Sequence, residues 1–422
     1  QQQQVPDRAH LPPQYRFAAI SVALGYCRPT RRPMHSPGDF VPVWIDDPAT
    51  LRARLQDPPT WVGLDTEFVR ERTYWPQLVL VQMAIGGEIL LIDALAPGIT
   101  EALRPLLADP AVLKVMHSAS EDLVALSHDC SVLPAPLFDT QVAAALCGIG
   151  GGMSYQKLVQ EITGVALAKG ETRSDWLRRP LSDAQLRYAG SDVAYLGEIW
   201  HSFSDRLGER SRMEWFDAAM NELLAESRGP RDPADSWRRI KELRHLRNVD
   251  LAVARAVAAW RESRAIELDI TPRYILSDLG VVGVAVSKPN SIDDLRSIRG
   301  VDGRAMKATV ANDLIAVVAD AVANPVRFER QANLPELSAE LRPALPLVSA
   351  WATQVARDLE IELSLLATRS DLEALLRGDP DARLAVGWRS AAVGESIRRL
   401  LAGEAAIAFD RGGGLSLEPR SP

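Results

Sequence analysis

Cysteine is scarce: the 422 residues hold only Cys27, Cys130 and Cys147. That odd number, at these spacings, suits neither a disulfide framework nor a zinc site. The three read as reduced, partly buried thiols of a cytoplasmic protein. Long hydrophobic runs are missing too, and nothing approaches the roughly 20 apolar residues that span a bilayer. The run Phe17 to Cys27 is followed by Arg28-Pro29-Thr30-Arg31-Arg32 rather than by small residues, which argues against a secretory signal. No excess of positive charge exists, since 48 Lys and Arg stand against 55 Asp and Glu for a net −7. The sum therefore does not announce a nucleic-acid binder. The six histidines are scattered; His117, five residues before Asp122, reads as a strand-end residue.

What is present in quantity is apolar residues, 47% of the chain, enough for two to four domains. Among them stand carboxylates in three separate segments. The first, Trp61 to Phe68, rises through Val62 and Leu64 like a buried strand and carries Asp65 and Glu67. Residues two apart on a strand share a face, so the two acids point together and repel unless a cation lies between them. The second segment is an apolar stretch ending at Met116, then Ser118-Ala119-Ser120-Glu121, which reads as a capping box, with Asp122 in the first helical turn. The third is a helix capped by Ser182 and Gln185, on which Tyr188 and Asp192 are spaced i, i+4 and share one face. Asp65, Glu67, Asp122 and Asp192 together offer oxygen ligands for two hard divalent cations, Mg²⁺ or Mn²⁺, and Tyr188 is placed to hold or help deprotonate an attacking water. Taken singly, Asp122 reads as an ordinary helix-start acid and Tyr188 as a core residue with a wet tip.

The ordered set D-x-E, a middle Asp and Y-x-x-x-D resembles the tyrosine branch of the DEDD 3′→5′ exonucleases. The stretches Leu64-Asp65-Thr66-Glu67-Phe68 through Tyr74-Trp75-Pro76-Gln77-Leu78, and Lys169 through Trp176-Leu177-Arg178-Arg179-Pro180-Leu181, are similar to the ribonuclease D family. The resemblance implies an α/β, RNase H-like exonuclease domain with a mixed sheet. It also implies exoribonuclease activity on the 3′ ends of structured RNA, above all tRNA precursors, with no membrane and no obligate protein partner. A DNA 3′→5′ exonuclease and a non-catalytic RNA-binding scaffold are the alternatives; an intact acid set speaks against the scaffold.

The domains follow from composition. Residues 1–40, led by glutamines, read as a disordered extension, and Met34 offers an internal start. Residues 41–228 form the exonuclease domain, ended by the hinge Arg228-Gly229-Pro230-Arg231-Asp232-Pro233. Its expected elements are strands near 61–67, 78–85, 88–93 and 112–116, and helices near 99–108, 120–128, 139–147, 154–164 and 182–204. Gly86-Gly87 marks a hairpin. The glycines of 148–152 punctuate helices and lack the context of a phosphate loop. Residues 229–325 are helical and resemble the HRDC domain through Trp260-Arg261, Pro272, Pro289 and Ile298-Arg299-Gly300-Val301. Residues 326–422 read as a second, diverged HRDC-like helical domain.

Candidate RNA contacts are Lys169, Arg173 and Trp176, which combine cations with a ring for base stacking, and Phe68 against a terminal base. Arg238, Arg239 and Lys241 lie on a helix expected over 236–246. Trp176 and Phe68 equally suit the core. A chain cut near Arg228 is expected to keep trimming short strands, because every metal-site residue lies upstream.

Overall fold

The computed structural model describes residues 40–168, 170, 174–227, 229, 232–301, 307–326 and 337–420. Three separate apolar cores organise them. The first belongs to a six-stranded mixed sheet with strands β1 (Val43–Ile45), β2 (Trp61–Val69), β3 (Gln77–Ile85), β4 (Glu88–Asp93), β5 (Leu113–Met116) and β6 (Leu137–Asp139). They lie in the order β1-β4-β3-β2-β5-β6. The β2–β3 and β3–β4 pairs are antiparallel, while β1–β4, β2–β5 and β5–β6 are parallel. β3 is flanked on both edges and covered on both faces, so its sequence is a nearly unbroken apolar run, with Gln82 the one wholly buried polar residue in it. Gly86 and Gly87 both take positive φ (58° and 88°), the conformation a two-residue hairpin turn demands.

The sheet is flanked by α1 (Pro48–Arg54), α2 (Ile99–Ala108), α3 (Ser120–Asp129), α4 (Thr140–Leu146), α5 (Tyr155–Thr163), α6 (Asp183–Ala194), α7 (Leu196–Glu209) and α8 (Met213–Glu226). Strands β1 and β6 and helices α1 and α8 lie beyond what the sequence pattern indicated. The single helix expected over 182–204 is two helices, broken at Tyr195. There the backbone N–H is taken by the Tyr155 hydroxyl at 3.1 Å instead of by the helix.

The second core belongs to α9 (Asn248–Leu268), α10 (Pro272–Ile275), α11 (Asp278–Ser287), α12 (Ile292–Ser297) and α13 (Ala308–Ala323). The α-helix expected over 236–246 is instead two 3₁₀ segments, Pro233–Arg239 and Lys241–His245. Trp237, Ile240 and Leu243 recur every third residue and pack into this core, a spacing that fits three residues per turn. The third core gathers α14 (Ala344–Asp358), α15 (Leu363–Leu366), α16 (Arg369–Leu376) and the helical stretch from Gly387 to Leu401. This block is not wholly helical: Ala405–Phe409 and Leu415–Pro419 pair as an antiparallel hairpin.

Candidate active site

β2 delivers Asp65 and Glu67, both half-buried. The residue between them, Thr66, donates its hydroxyl to Asp122 Oδ1 and so fixes the acid that α3 contributes. The start of α3 is not held by the expected capping box, and no side chain of its own segment caps it. Asp139, at the end of β6, does that work from outside. Its carboxylate accepts the N–H groups of Ser118 (3.2 Å) and Ala119 (2.8 Å) while also capping α4 through Gln141 (2.8 Å) and Val142 (3.2 Å). Ser118 adopts a left-handed φ of 57° in that turn. An Asp-Thr pair closing an apolar strand was the only signal in the sequence.

α6 supplies the remaining groups, and its capping box of Ser182 and Gln185 is present as expected. The Tyr188 phenol and the Asp192 carboxylate lie one helical turn apart on α6 and interact electrostatically. Gly190, between them, lets Phe40 and Pro42 cross the helix closely, since a Cβ there would lie 2.6 Å from the Phe40 ring. Gly170 lies flat against Tyr188, where a Cβ would fall 1.7 Å from the ring carbon Cε2. Both glycines support the tyrosine and the acid beside it, and neither is recognisable without the fold.

The electrostatics follow from burial and like charge. Asp65 is held well above the usual carboxylate range, first by burial and then by Asp122, Asp192 and Glu67. Burial, with Asp192 and Asp122, pushes Glu67 up to about 8. Asp192 rises to about 7 through burial, although the neighbouring Tyr188 phenol works the other way. Asp122 rises to about 6 through burial, partly offset by Thr66. Burial and the neighbouring carboxylates push the Tyr188 phenol up as well, so it is a neutral hydrogen-bond donor at ordinary pH. Among the described residues, no three His, Cys, Asp or Glu side chains form a preformed metal cage. The donor chemistry nevertheless fits hard cations: four acids are gathered from three segments, and Asp122 and Asp192 raise the proton affinity of Asp65 and Glu67.

The proposed RNA contacts fare differently. Phe68 is half-buried and packs against the nuclease core. Trp176 is only 5% exposed, with its ring centroid 6.1 Å from that of Tyr188. The base-stacking expectation for Trp176 gives way to a core role, because an enclosed ring has no free face. Lys169 and Arg173 lie outside the described residues. Arg239 reaches buried Glu262 at 2.5 Å and is committed to an ion pair within its own helical unit. Arg238 is exposed and pairs with Asp235 at 2.8 Å, while Lys241 is exposed. His117 is satisfied by Thr140 at 2.9 Å, and burial lowers its pKa.

Residues 42–208 match the family model of the 3′-5′ exonuclease, and residues 250–318 match that of the HRDC domain. The chain is 42% identical over 366 residues to ribonuclease D of Xanthomonas oryzae pv. oryzae, covering 86% of this chain and 99% of that protein. It is 37% identical to ribonuclease D of Jannaschia sp., covering 86% and 95%. Among solved structures it is similar to RNase D of Escherichia coli, described as an exoribonuclease involved in structured RNA processing. That match has a TM-score of 0.73 and 30% identity over 86% of this chain and 99% of the other. The catalytic core of RRP6 from Trypanosoma brucei, at 22% identity and a TM-score of 0.52, shares the fold.

Proposed function

The chain belongs to the ribonuclease D family and is a 3′→5′ exoribonuclease, and on that premise we propose that Asp65, Glu67, Asp122 and Asp192 hold two divalent metal ions, Mg²⁺ or Mn²⁺. The observation that carries this reading is the cluster of half-buried and buried acids, in which Asp122 and Asp192 raise the pKa of both Asp65 and Glu67. When bound, the ions activate water and stabilise the charge that develops on the scissile phosphate. Thr66 and Asp139 hold Asp122 in place, the latter through the turn before α3. Tyr188, kept neutral beside Asp192, orients the attacking water by hydrogen bonding rather than by taking its proton.

The proposed substrates are 3′ ends of structured RNA, tRNA precursors above all, in the cytoplasm; in the described residues no helix is long and apolar enough to cross a membrane. Phe68 on β2, Lys169 and Arg173, and Arg238 and Lys241 on the 3₁₀ segments remain the proposed RNA contacts. Residues 326–422 are proposed as a diverged second copy of the HRDC-like unit at 229–325. Equivalent features fall 91 residues apart: Trp260 and Trp351, the left-handed residues Asp269 and Glu360, and the helix caps Ser277 and Thr368.

Competing degradation of matched RNA and DNA single strands, with and without exhaustive chelation, tests the reading. Expected are preference for RNA and loss of all turnover on chelation. Full activity in chelator would overturn the two-metal site, and equal use of DNA would overturn the substrate class.

A further inference from the structure

Gln82 is the polar exception in β3: it is 0% exposed, and among the described residues neither its amide nitrogen nor its oxygen has a hydrogen-bond partner. Buried carboxamides are normally satisfied, and one that is not calls for a physical reason. The sheet register supplies it. In the antiparallel β2–β3 pair, Gln82 stands directly opposite Asp65. Directly opposed residues project from the same face with Cβ atoms about 4.5–5.5 Å apart. The neighbouring pair confirms the facing, because a Cβ on Gly63 would meet Ala84 Cβ at 3.3 Å and Leu196 at 3.2 Å. Gln82 and Asp65 are therefore both on the side of the sheet that faces the junction of α6 and α7. A hydrophobic residue would fill this position in a strand otherwise made of Leu, Val, Met, Ala and Ile without leaving an amide unsatisfied.

We propose that Gln82 is a positioning residue for the metal site, its carboxamide NH₂ donating to the Asp65 carboxylate and orienting it when that carboxylate is ionised against a bound cation. This rests on the metal reading above. The group that holds a ligating carboxylate in register sets how well the ligand binds, and loss of such a partner typically weakens metal affinity or activity about 10–100-fold. Gln82 does not touch RNA in this scheme, so it acts on turnover and metal dependence and leaves the KM for RNA unchanged.

The test is a thermal titration of the full chain with Mn²⁺, wild type against Gln82→Met, which keeps the volume and removes both polar atoms. Without metal, the variant is expected to melt higher by about 2–4 °C for each kcal/mol of relieved amide burial. With metal, its half-maximal stabilisation should move to about 10–100-fold higher Mn²⁺, with turnover falling in step. An unchanged Mn²⁺ titration in Gln82→Met would overturn the inference and leave Gln82 a structural residue or the host of a buried water. No Mn²⁺ response in the wild type would instead defeat the metal reading itself. A crystal structure of the wild-type chain with Mn²⁺ gives a reading independent of how the variant folds. Gln82 Nε2 within hydrogen-bond distance of the Asp65 carboxylate upholds the assignment, and an amide bonded elsewhere refutes it.

Discussion

The two helical units meet the nuclease domain through the same device in two different places. In the first, the turn after α9 grips the loop between β2 and β3. Asp269 accepts the N–H groups of Tyr74 (3.1 Å) and Trp75 (3.0 Å), and Thr271 N–H reaches the Arg72 carbonyl at 3.0 Å. Buried Glu262 receives the Tyr74 hydroxyl at 2.8 Å as well as Arg239. In the second, the turn after α14 grips the far side. Arg210 reaches Glu360 at 2.8 Å, Arg212 reaches the Leu359 carbonyl at 2.6 Å, and Gly151 N–H reaches Glu362 at 2.9 Å. Gly148 is needed there because a Cβ would lie 2.6 Å from the Glu360 carbonyl oxygen. Only the first loop continues directly from the strand that bears Asp65 and Glu67. It also returns toward α3, with Arg70 donating to the Tyr74 carbonyl (3.2 Å) and pairing with Glu121 (2.8 Å) beside Asp122. Similar docking thus has different consequences: one contact braces the chemistry, the other braces the assembly.

Substitutions in the acid cluster set the upper limit of effect against which both contacts are judged. Asp65→Asn or Asp192→Asn should abolish turnover in a 3′-end trimming assay while the fold persists, because a ligand is lost and like-charge repulsion is relieved. Retained turnover at low metal concentration would remove these residues from the site. Next in size, Tyr188→Phe should slow turnover about 10²–10⁴-fold with unchanged RNA affinity. A weakened Kd at normal turnover would make it a binding contact.

The comparison itself turns on Asp269→Ala against Glu360→Ala. The first should lower turnover on short single strands about tenfold through misplacement of the β2–β3 loop, and stability by about 0.5–1.5 kcal/mol. The second, an exposed pair, should cost about 0.2–1 kcal/mol and leave turnover alone. Equal turnover losses, read from single-turnover kinetics and urea melts, would erase the distinction. The same contacts revise the expectation for a chain cut near Arg228: it loses the brace on the loop after β2, and its trimming of short strands should fall too.

The smallest effect is on stability against pH. Glu67, Asp192 and Asp122, at about 8, 7 and 6 in the fold, bind protons more tightly than in the unfolded chain. Their stabilisation is complete below about pH 4, near ordinary carboxylate values, and is lost as pH rises through the folded values. In chelator, the Tm should therefore fall between pH 5 and 8, by about 2–4 °C per kcal/mol of ionisation penalty. Added Mn²⁺ should flatten the fall, and a metal-free Tm rising over that range would contradict the picture.

The acid set was legible in the sequence because its geometry is local. A strand's period of two aligns Asp65 with Glu67, and a helix's i, i+4 spacing aligns Tyr188 with Asp192. The Ser182 cap, the Gly86-Gly87 hairpin and the HRDC-like helices are short-range patterns of the same kind. The capping box before Asp122 failed because Ser118 and Ser120 compete with Asp139, twenty residues away in sequence but adjacent across β5 and β6. Arg238, Arg239 and Lys241 looked like one basic helix face; a period of three and the contact with Glu262 separate them.

By itself, then, the sequence determined the kind of chemistry and the order of the acidic residues along the chain, since both depend on residue type and near-neighbour spacing. The tertiary structure alone decided which groups support that chemistry. The facing of Gln82 and Asp65 depends on strand register, Gly170 on close approach to a ring, and Asp269 on docking across nearly two hundred residues. Such pairings are selected by the burial of whole surfaces, and no local spacing encodes them.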